Sequence, residues 1–364
     1  MVNTEKQIEL YPGHWLYNAS ILGFLLSLKM VEGKDIDEYL LKDGRILLPK
    51  KIFTELEVSK RYFEDAKISS IVAKAPIYRN YLQSSEKEAF TLFVNSLENV
   101  EKSGQCNLSN EAYNLPIEIE KQLRKKGLEK FLDRIIDFNM VFHADLGPSL
   151  DMFPNAYWNN RQSNKICQLF AFLIIHQHIP FITMSDKSKI FINAPSFSLM
   201  YKLNTLLEKL IDKENASYKN LLAMSVIDFS IKTNVMMNTW AGMNIEIVAI
   251  QKSGVIEFIS LPYETIRILS NKRIAEHLSS IGEFMVLNMV IDGRLKDLIE
   301  LGYRILKIAM KPTIGKEDRN FIENNFFRYE NRENRNLKEL ANKILKLYAL
   351  TEERINSKQN EYIN

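Results

Sequence analysis

The 364-residue chain carries only two cysteines, Cys106 and Cys167. Two thiols cannot build the disulfide framework on which small secreted proteins rely; this favours a reducing compartment, and the sequence is read as cytoplasmic. Long apolar runs are equally scarce. The strongest, residues 19–28 within GHWLYNASILGFLLSL, is about half of the ~20 residues a helix needs to cross a hydrocarbon core, and Lys29, Glu32 and Lys34 follow at once. It does not read as an export signal either. Glu5 and Glu9 offset Lys6 where a basic region belongs, and no small-residue cleavage site follows Leu28. The stretch is therefore expected to be a helix enclosed in the core, introduced by the turn Tyr11-Pro12-Gly13.

Net charge is nearly absent as well. The formal charge is +3, and the whole surplus falls from Glu264 onward, where 18 Lys and Arg meet 15 Asp and Glu; 30 of each precede it. Such a total does not announce a nucleic-acid binder by itself. The usual catalytic signatures are missing: there is no Gly-x-x-x-x-Gly-Lys-Ser/Thr loop, no Gly-x-Gly-x-x-Gly, no Gly-x-Ser-x-Gly and no His-Glu-x-x-His. We expect no enzyme, no catalytic residue, no cofactor and no metal. Metal-type spacing occurs only in HAD (His143, Asp145) and HQH (His176, His178), with Asp151 and Asp186 nearby. A metal-dependent nuclease using those four residues is the rival reading. HQH closes an apolar helix, however, where packed or capping histidines are the commoner occupants.

What is present is an ordinary globular composition, 46% hydrophobic and 26% charged, with a length that suits two or three domains. After the apolar helix, a short strand over 45–48 is expected to stop at Pro49 and lead into one helix running toward Pro76. Helical spacing recurs over 77–97, through PIEIEKQLRKKGLEKFLDRIIDFNMVF with an interruption at Gly127, and in ICQLFAFLIIHQHI. From Pro180 the period changes to alternation. FITM-SDKSK-IFINA and NIEIVAI-QKSG-VIEFISL read as two hairpins, with helices over 199–212 and 218–235 between them. Beyond Pro262 only helical stripes remain, such as Leu295, Leu298, Ile305, Ala309 and then Leu337, Leu340, Ile344, Leu347. The expected fold is α+β: a mostly helical body with short strands and two hairpins over 1–261, and a helical bundle over 262–364.

Two segments suit nucleic acid. The polar loop 158–165 offers Asn159, Asn160, Arg161, Gln162, Asn164 and Lys165, amides for base edges and cations for phosphates. Further on, Arg328, Arg332 and Arg335 fall at i, i+4 and i+7 with Lys338 close by, a basic stripe if the segment is helical. The interleaved Glu330, Glu333 and Glu339 equally fit an exposed, ion-paired helix. Lys121, Arg124, Lys125 and Lys126 form a third cluster, read as a solvated face.

The opening GHWLYNASILGFLLSL, with a short strand and a helix containing RYF after it, resembles the large subunit of type I-B CRISPR interference (Cascade) complexes, in the branch named for a CXXC–CXXC region. Trp15, Leu16, Asn18 and Ala19 match that family's typical Trp-Leu-x-Asn-Ala-Gly start, where this chain has Ser20 in the glycine place. Tyr157, Trp158, Asn159 and Cys167 match its aromatic-Trp-Asn segment ahead of a Cys-x-x-Cys. Where the family has two Cys-x-x-Cys pairs, this chain has CNLS and CQLF, with Ser109 and Phe170 in the partner places. Structural zinc normally takes four Cys or His ligands, so none is expected here, and both cysteines read as small core residues.

The resemblance implies a non-catalytic protein that helps recognise the motif flanking the target, stabilises the R-loop and recruits the nuclease-helicase. Its implied partners are a guide RNA, target double-stranded DNA, the Cascade backbone and small subunits, and the nuclease-helicase, with no membrane. It also implies that the C-terminal part resembles the separate small subunit, for which Met236, Met237, Met285 and Met289 are candidate internal starts. A scaffold without nucleic-acid contact is the third reading.

Overall fold

The computed structural model describes residues 6–73, 83–109, 111–138, 164–209, 218–232, 245–326 and 334–361. Among these the chain is mainly helical with short strands, an α+β fold. It divides into two compact units, 1–201 with 248–258, and 202–247 with 259–364.

The first unit is organised around the apolar stretch singled out above. Strand β1 (Gln7–Leu10) leads through the turn at Pro12 and Gly13 into helix α1 (Trp15–Glu32), whose cap at Gly33 adopts φ +68°. Thirteen of its residues are buried, which removes it from water on nearly every side. Its few polar side chains are satisfied locally, as buried polar groups must be. Ser20 and Ser27 donate to the carbonyls of Leu16 and Phe24, each at 2.6 Å. Asn18 accepts from the Gly13 N–H at 2.8 Å and donates to the Gly13 carbonyl at 2.9 Å and to Asn193 Oδ1 at 2.8 Å. The motif asparagine thus fixes the turn that feeds the helix.

Strand β2 (Ile46–Pro49) pairs antiparallel with β1, Leu10 opposite Ile46 and Gln7 opposite Pro49. The single helix expected beyond Pro49 is instead broken into α2 (Ile52–Glu55), a π turn (Lys60–Glu64) and α3 (Ala66–Val72). The break has two physical causes. Asp65 is extended and caps α3, accepting from the N–H groups of Lys67 and Ile68. The π turn, for its part, turns Arg61 inward: the residue is 2% exposed, and its guanidinium pairs with Glu32, donates to Ser27 Oγ, and donates through Nε to the Tyr62 hydroxyl at 3.2 Å.

That hydroxyl lies 2.9 Å from His176 Nε2, while His176 Nδ1 lies 3.2 Å from the Leu173 carbonyl. A carbonyl only accepts, so Nδ1 carries the proton, Nε2 accepts from Tyr62, and the imidazole is neutral. Burial, with the Arg61 charge adding to it, holds the His176 pKa well below the ordinary range.

The helix expected over 77–97 is, among the described residues, α4 (Lys87–Ser96), preceded by a 3-10 turn at Ser84–Glu86. The short hairpin of β3 (Glu101–Lys102) and β4 (Tyr113–Asn114) follows, then α5 (Ile117–Leu123) and α6 (Glu129–Ile135). Between those two helices Gly127 sits at φ +86°, a conformation that favours glycine and accounts for the interruption. Strand β5 (Asp137–Phe138) pairs with β6 (Asn164–Lys165), and α7 (Gln168–Leu173) then packs against α1.

The two expected hairpins are present but are not separate. Strands β7 (Ile182–Thr183) and β8 (Lys189–Asn193) join β9 (Glu246–Ile250) and β10 (Ile256–Ser260) in one sheet, order β10-β9-β8-β7. Residues 248–258 therefore belong to the first unit. Helices α8 (Phe197–Glu208) and α9 (Tyr218–Lys232) lie between β8 and β9 in sequence.

In the second unit α9 packs on α10 (Tyr263–Leu269), α11 (Lys272–Ile281) and α12 (Phe284–Ile291). It buries Leu221, Leu222, Ala223 and Val226 completely. These helices do not follow the expected 261/262 boundary, because the C-terminal helices need the apolar residues of α9 to complete their core. Helices α13 (Leu295–Ala309) and α15 (Asn334–Glu361) form the largest helix pair, with Leu298, Ile305, Leu340, Ile344 and Leu347 fully buried. Helix α14 (Lys316–Asn325) buries Ile322, and the Arg304 guanidinium sits 3.5 Å from the ring centre of its Phe321. Among the described residues no helix is long and apolar enough to cross a membrane.

Two outcomes are expected. A Cβ at Gly23 would stand 2.0 Å from the His176 carbonyl oxygen and 2.8 Å from its carbon. Gly23→Ala should therefore cost about 3 kcal/mol or more, read as a lower urea midpoint. His176 is depressed in the folded state, so the unfolded chain binds its proton first. Stability should fall as pH drops through and below about 6.5, by up to ~1.4 kcal/mol per pH unit, and His176→Gln should flatten that slope above the carboxylate range.

Candidate functional site

Strand pairing brings together the segments that the sequence singled out around the cysteines. The β3–β4 connection carries Cys106 and Ser109; the end of β6 and the start of α7 carry Lys165, Cys167 and Phe170. Asn107 locks the two. Its backbone N–H and its side-chain amide donate to the Lys165 carbonyl at 3.2 and 2.9 Å. Gln168 completes the join. Its N–H donates to the Asn114 side-chain oxygen at 3.1 Å, while its own side chain accepts from the Leu115 N–H at 2.6 Å and donates to Glu120 at 3.2 Å.

At the centre the Cys167 N–H donates to Cys106 Sγ at 3.3 Å, and Ser109 Oγ lies 3.9 Å from Cys167 Sγ. Phe170, one turn further on, is fully buried with its ring centre 5.3 Å from that of Tyr17 on α1. The segments CNLS (106–109) and CQLF (167–170) thus share one junction. The cysteines are not equivalent within it. Cys167 is buried, whereas Cys106 is partly exposed. A hydrogen bond from the Cys167 thiol, helped by Ser109 and by the N–H groups of Cys167 and Leu108, holds the Cys106 thiol well below the usual cysteine range. The same bond, followed by burial, holds Cys167 well above it. The proton therefore stays on Cys167. Among the described residues no group of three or more His, Cys, Asp or Glu side chains is arranged to hold a metal.

The expected nucleic-acid residues are distributed as follows. Asn159, Asn160 and Arg161 lie outside the described residues, as do Arg328 and Arg332. Asn164 and Lys165 stand in β6, opposite Phe138 and Asp137, and not in open loop. Lys165 is exposed and pairs with Asp137, so its charge already has a counter-ion. Arg335 is in the first turn of α15, and Lys338 is exposed one turn on, so the described end of the basic stripe is helical. Neighbouring Glu339 pairs with Lys343 at 2.9 Å. In the third cluster Arg124 is held by Glu120 at 2.7 Å and by Asp133 at 2.8 Å.

His143, Asp145 and Asp151, of the rival metal reading, lie outside the described residues. Both ring nitrogens of buried His176 are engaged, His178 Nε2 lies 2.9 Å from the Ile71 carbonyl oxygen, and Asp186 accepts from the N–H and hydroxyl of Ser188. The Gln168 clamp and the Arg61 network escaped sequence reasoning. RYF in an otherwise polar segment was the available signal for the second, and nothing in the spacing of Gln168 marks the first.

Comparison with known proteins adds no relative: no family model, curated protein or solved structure matches the chain.

The cysteine junction makes a measurable claim. An ordinary thiol alkylates roughly tenfold faster for each pH unit gained below its pKa of ~8.5. Cys106, already ionised below that range, should react with iodoacetamide at a rate that changes less than about threefold from about pH 6.5 to about pH 8. Cys167 should stay unlabelled in the native protein. Peptide-resolved labelling checks both.

Proposed function

We propose that the chain is the large, non-catalytic subunit of a type I-B CRISPR RNA-guided DNA surveillance complex. The single observation that supports this most is the cysteine junction. Two Cys-x-x-Cys pairs have chemical meaning together only if they meet in space, and the two segments that carry their remnants here, 106–109 and 167–170, do meet. The matched residues at the chain's start support the same reading from a second direction. Asn18, with its neighbours Trp15, Leu16 and Ala19 buried beside it, organises the turn and helix around which the first unit is built.

In this reading base pairing with a guide RNA supplies sequence recognition, while the protein inspects a short flanking duplex and holds backbone. The α+β unit carries the inspection, through Asn159, Asn160, Arg161, Asn164 and Lys165. The C-terminal part carries strand contacts through Arg328, Arg332, Arg335 and Lys338. Partners would be the guide RNA, target DNA, the multi-copy backbone and small subunits, and the recruited nuclease-helicase. No step of bond cleavage is assigned to this chain.

The test is co-purification. The tagged chain, expressed with its neighbouring genes, should elute with a repeat-derived RNA and a multi-copy backbone protein. Association with DNA by that assembly should weaken steeply from about 50 to about 200 mM salt, as phosphate contacts require. A chain that elutes alone and RNA-free at low salt defeats the proposal.

A further inference from the structure

We propose that Cys106 is a peroxide-reactive modification site and that Cys167 resolves its oxidised form into an intrachain disulfide. The inference stands on the junction's geometry, independently of the assembly proposed above. The chain's only two cysteines, 61 positions apart, have been brought together: the Cys167 N–H rests on Cys106 Sγ at 3.3 Å, and Ser109 Oγ lies 3.9 Å from Cys167 Sγ. Their roles are already divided. Cys106 sits on the β3–β4 connection with part of its surface open to a small oxidant, and Cys167 is 3% exposed behind it.

Donors surround the Cys106 sulfur, a setting that favours the thiolate, and the thiolate is the nucleophile. No third metal-ligating side chain joins the two among the described residues, so the pair is left to thiol chemistry. The flanking backbone is held by the Asn107–Lys165 and Asn114–Gln168 hydrogen bonds, which keep the two segments in register while a covalent bond forms.

The chemistry balances with hydrogen peroxide as the named oxidant. The Cys106 thiolate attacks one peroxide oxygen and the O–O bond breaks. Hydroxide leaves and is protonated to water, and the sulfur, oxidised by two electrons, becomes a sulfenic acid. The Cys167 sulfur then attacks the Cys106 sulfur, the S–O bond breaks, and the departing hydroxide takes the Cys167 proton as water. The product is a disulfide between β3–β4 and the start of α7, reversible by a dithiol.

The experiment uses the reduced full-length chain with hydrogen peroxide at a few equivalents, then maleimide quenching in denaturant, which exposes both cysteines to the label, and non-reducing peptide mapping. The expected product is a Cys106–Cys167 linked peptide, an intact mass lower by two hydrogen atoms, and maleimide labelling of both cysteines reduced together by about tenfold or more. Dithiothreitol should restore it. In Cys167→Ser the sulfenic acid should persist and be trapped on Cys106 by dimedone. Should that variant not fold, the wild-type peptide map decides alone. Two results overturn the proposal: both thiols still labelled after peroxide that oxidises free glutathione, or Cys106 oxidised to sulfinic acid with no linked peptide.

Discussion

The first unit depends on the enclosure of α1. A helix buried on nearly every side needs partners for its own polar side chains and close packing around it, and Asn18, Ser20 and Ser27 each find hydrogen-bond partners. Gly23 lets the carbonyl of His176 approach where any side chain would collide with it. At the open end of the helix, Glu32 meets Arg61, a charge almost wholly removed from water. Burying a guanidinium is costly unless each donor is used, and Glu32, Ser27 and Tyr62 use them. Tyr62 passes the network on to His176, so one chain of hydrogen bonds joins α1, the π turn and the 3-10 turn (Ile174–His176) that follows α7.

The same shell aligns the cysteine junction. Helix α7 is fixed against α1 by aromatic contacts, Tyr17 with Phe170 and Phe24 with Phe172, and its first residues thereby present Cys167 and Gln168 to the β3–β4 connection. Phe170 is fully buried against Tyr17, so apolar packing occupies that corner of the junction. What remains is a pair of thiols in unequal surroundings, an arrangement suited to redox chemistry between two sulfurs and short of the four donors that zinc prefers.

Much of the fold is legible in the sequence, for identifiable reasons. An apolar stretch too short for a membrane and flanked by charge has few fates other than enclosure, and α1 follows that logic. Alternation with a Gly-containing turn marks a hairpin locally, and β9–β10 forms as expected. The merging of both hairpins into one sheet is hidden because β8 and β9 are separated by two helices, and no local period reports a ladder between distant segments. The expected helix beyond Pro49 breaks because an inward-facing arginine and an Asp cap outweigh helical spacing that continues through them. The boundary expected at 261/262 marks where strand signals end, whereas the second unit recruits α9 from upstream to complete its core.

For the binding residues, composition names amides and cations, but charge in a sequence says nothing about counter-ions. Lys165 lies in a ladder beside Asp137, a pairing set by β5 meeting β6. By itself, then, the sequence determined the α+β class, the enclosed N-terminal helix, the hairpin segments and the amphipathic C-terminal helices. These follow from local periodicity and from the cost of exposing hydrocarbon, and both act within a few turns of chain. Only the tertiary structure decided which polar groups meet. The Cys106–Cys167 contact, the Gln168 clamp and the Arg61–Tyr62–His176 network each join residues far apart in sequence. Their partners are selected by the packing of whole elements, a constraint that no short window of residues contains.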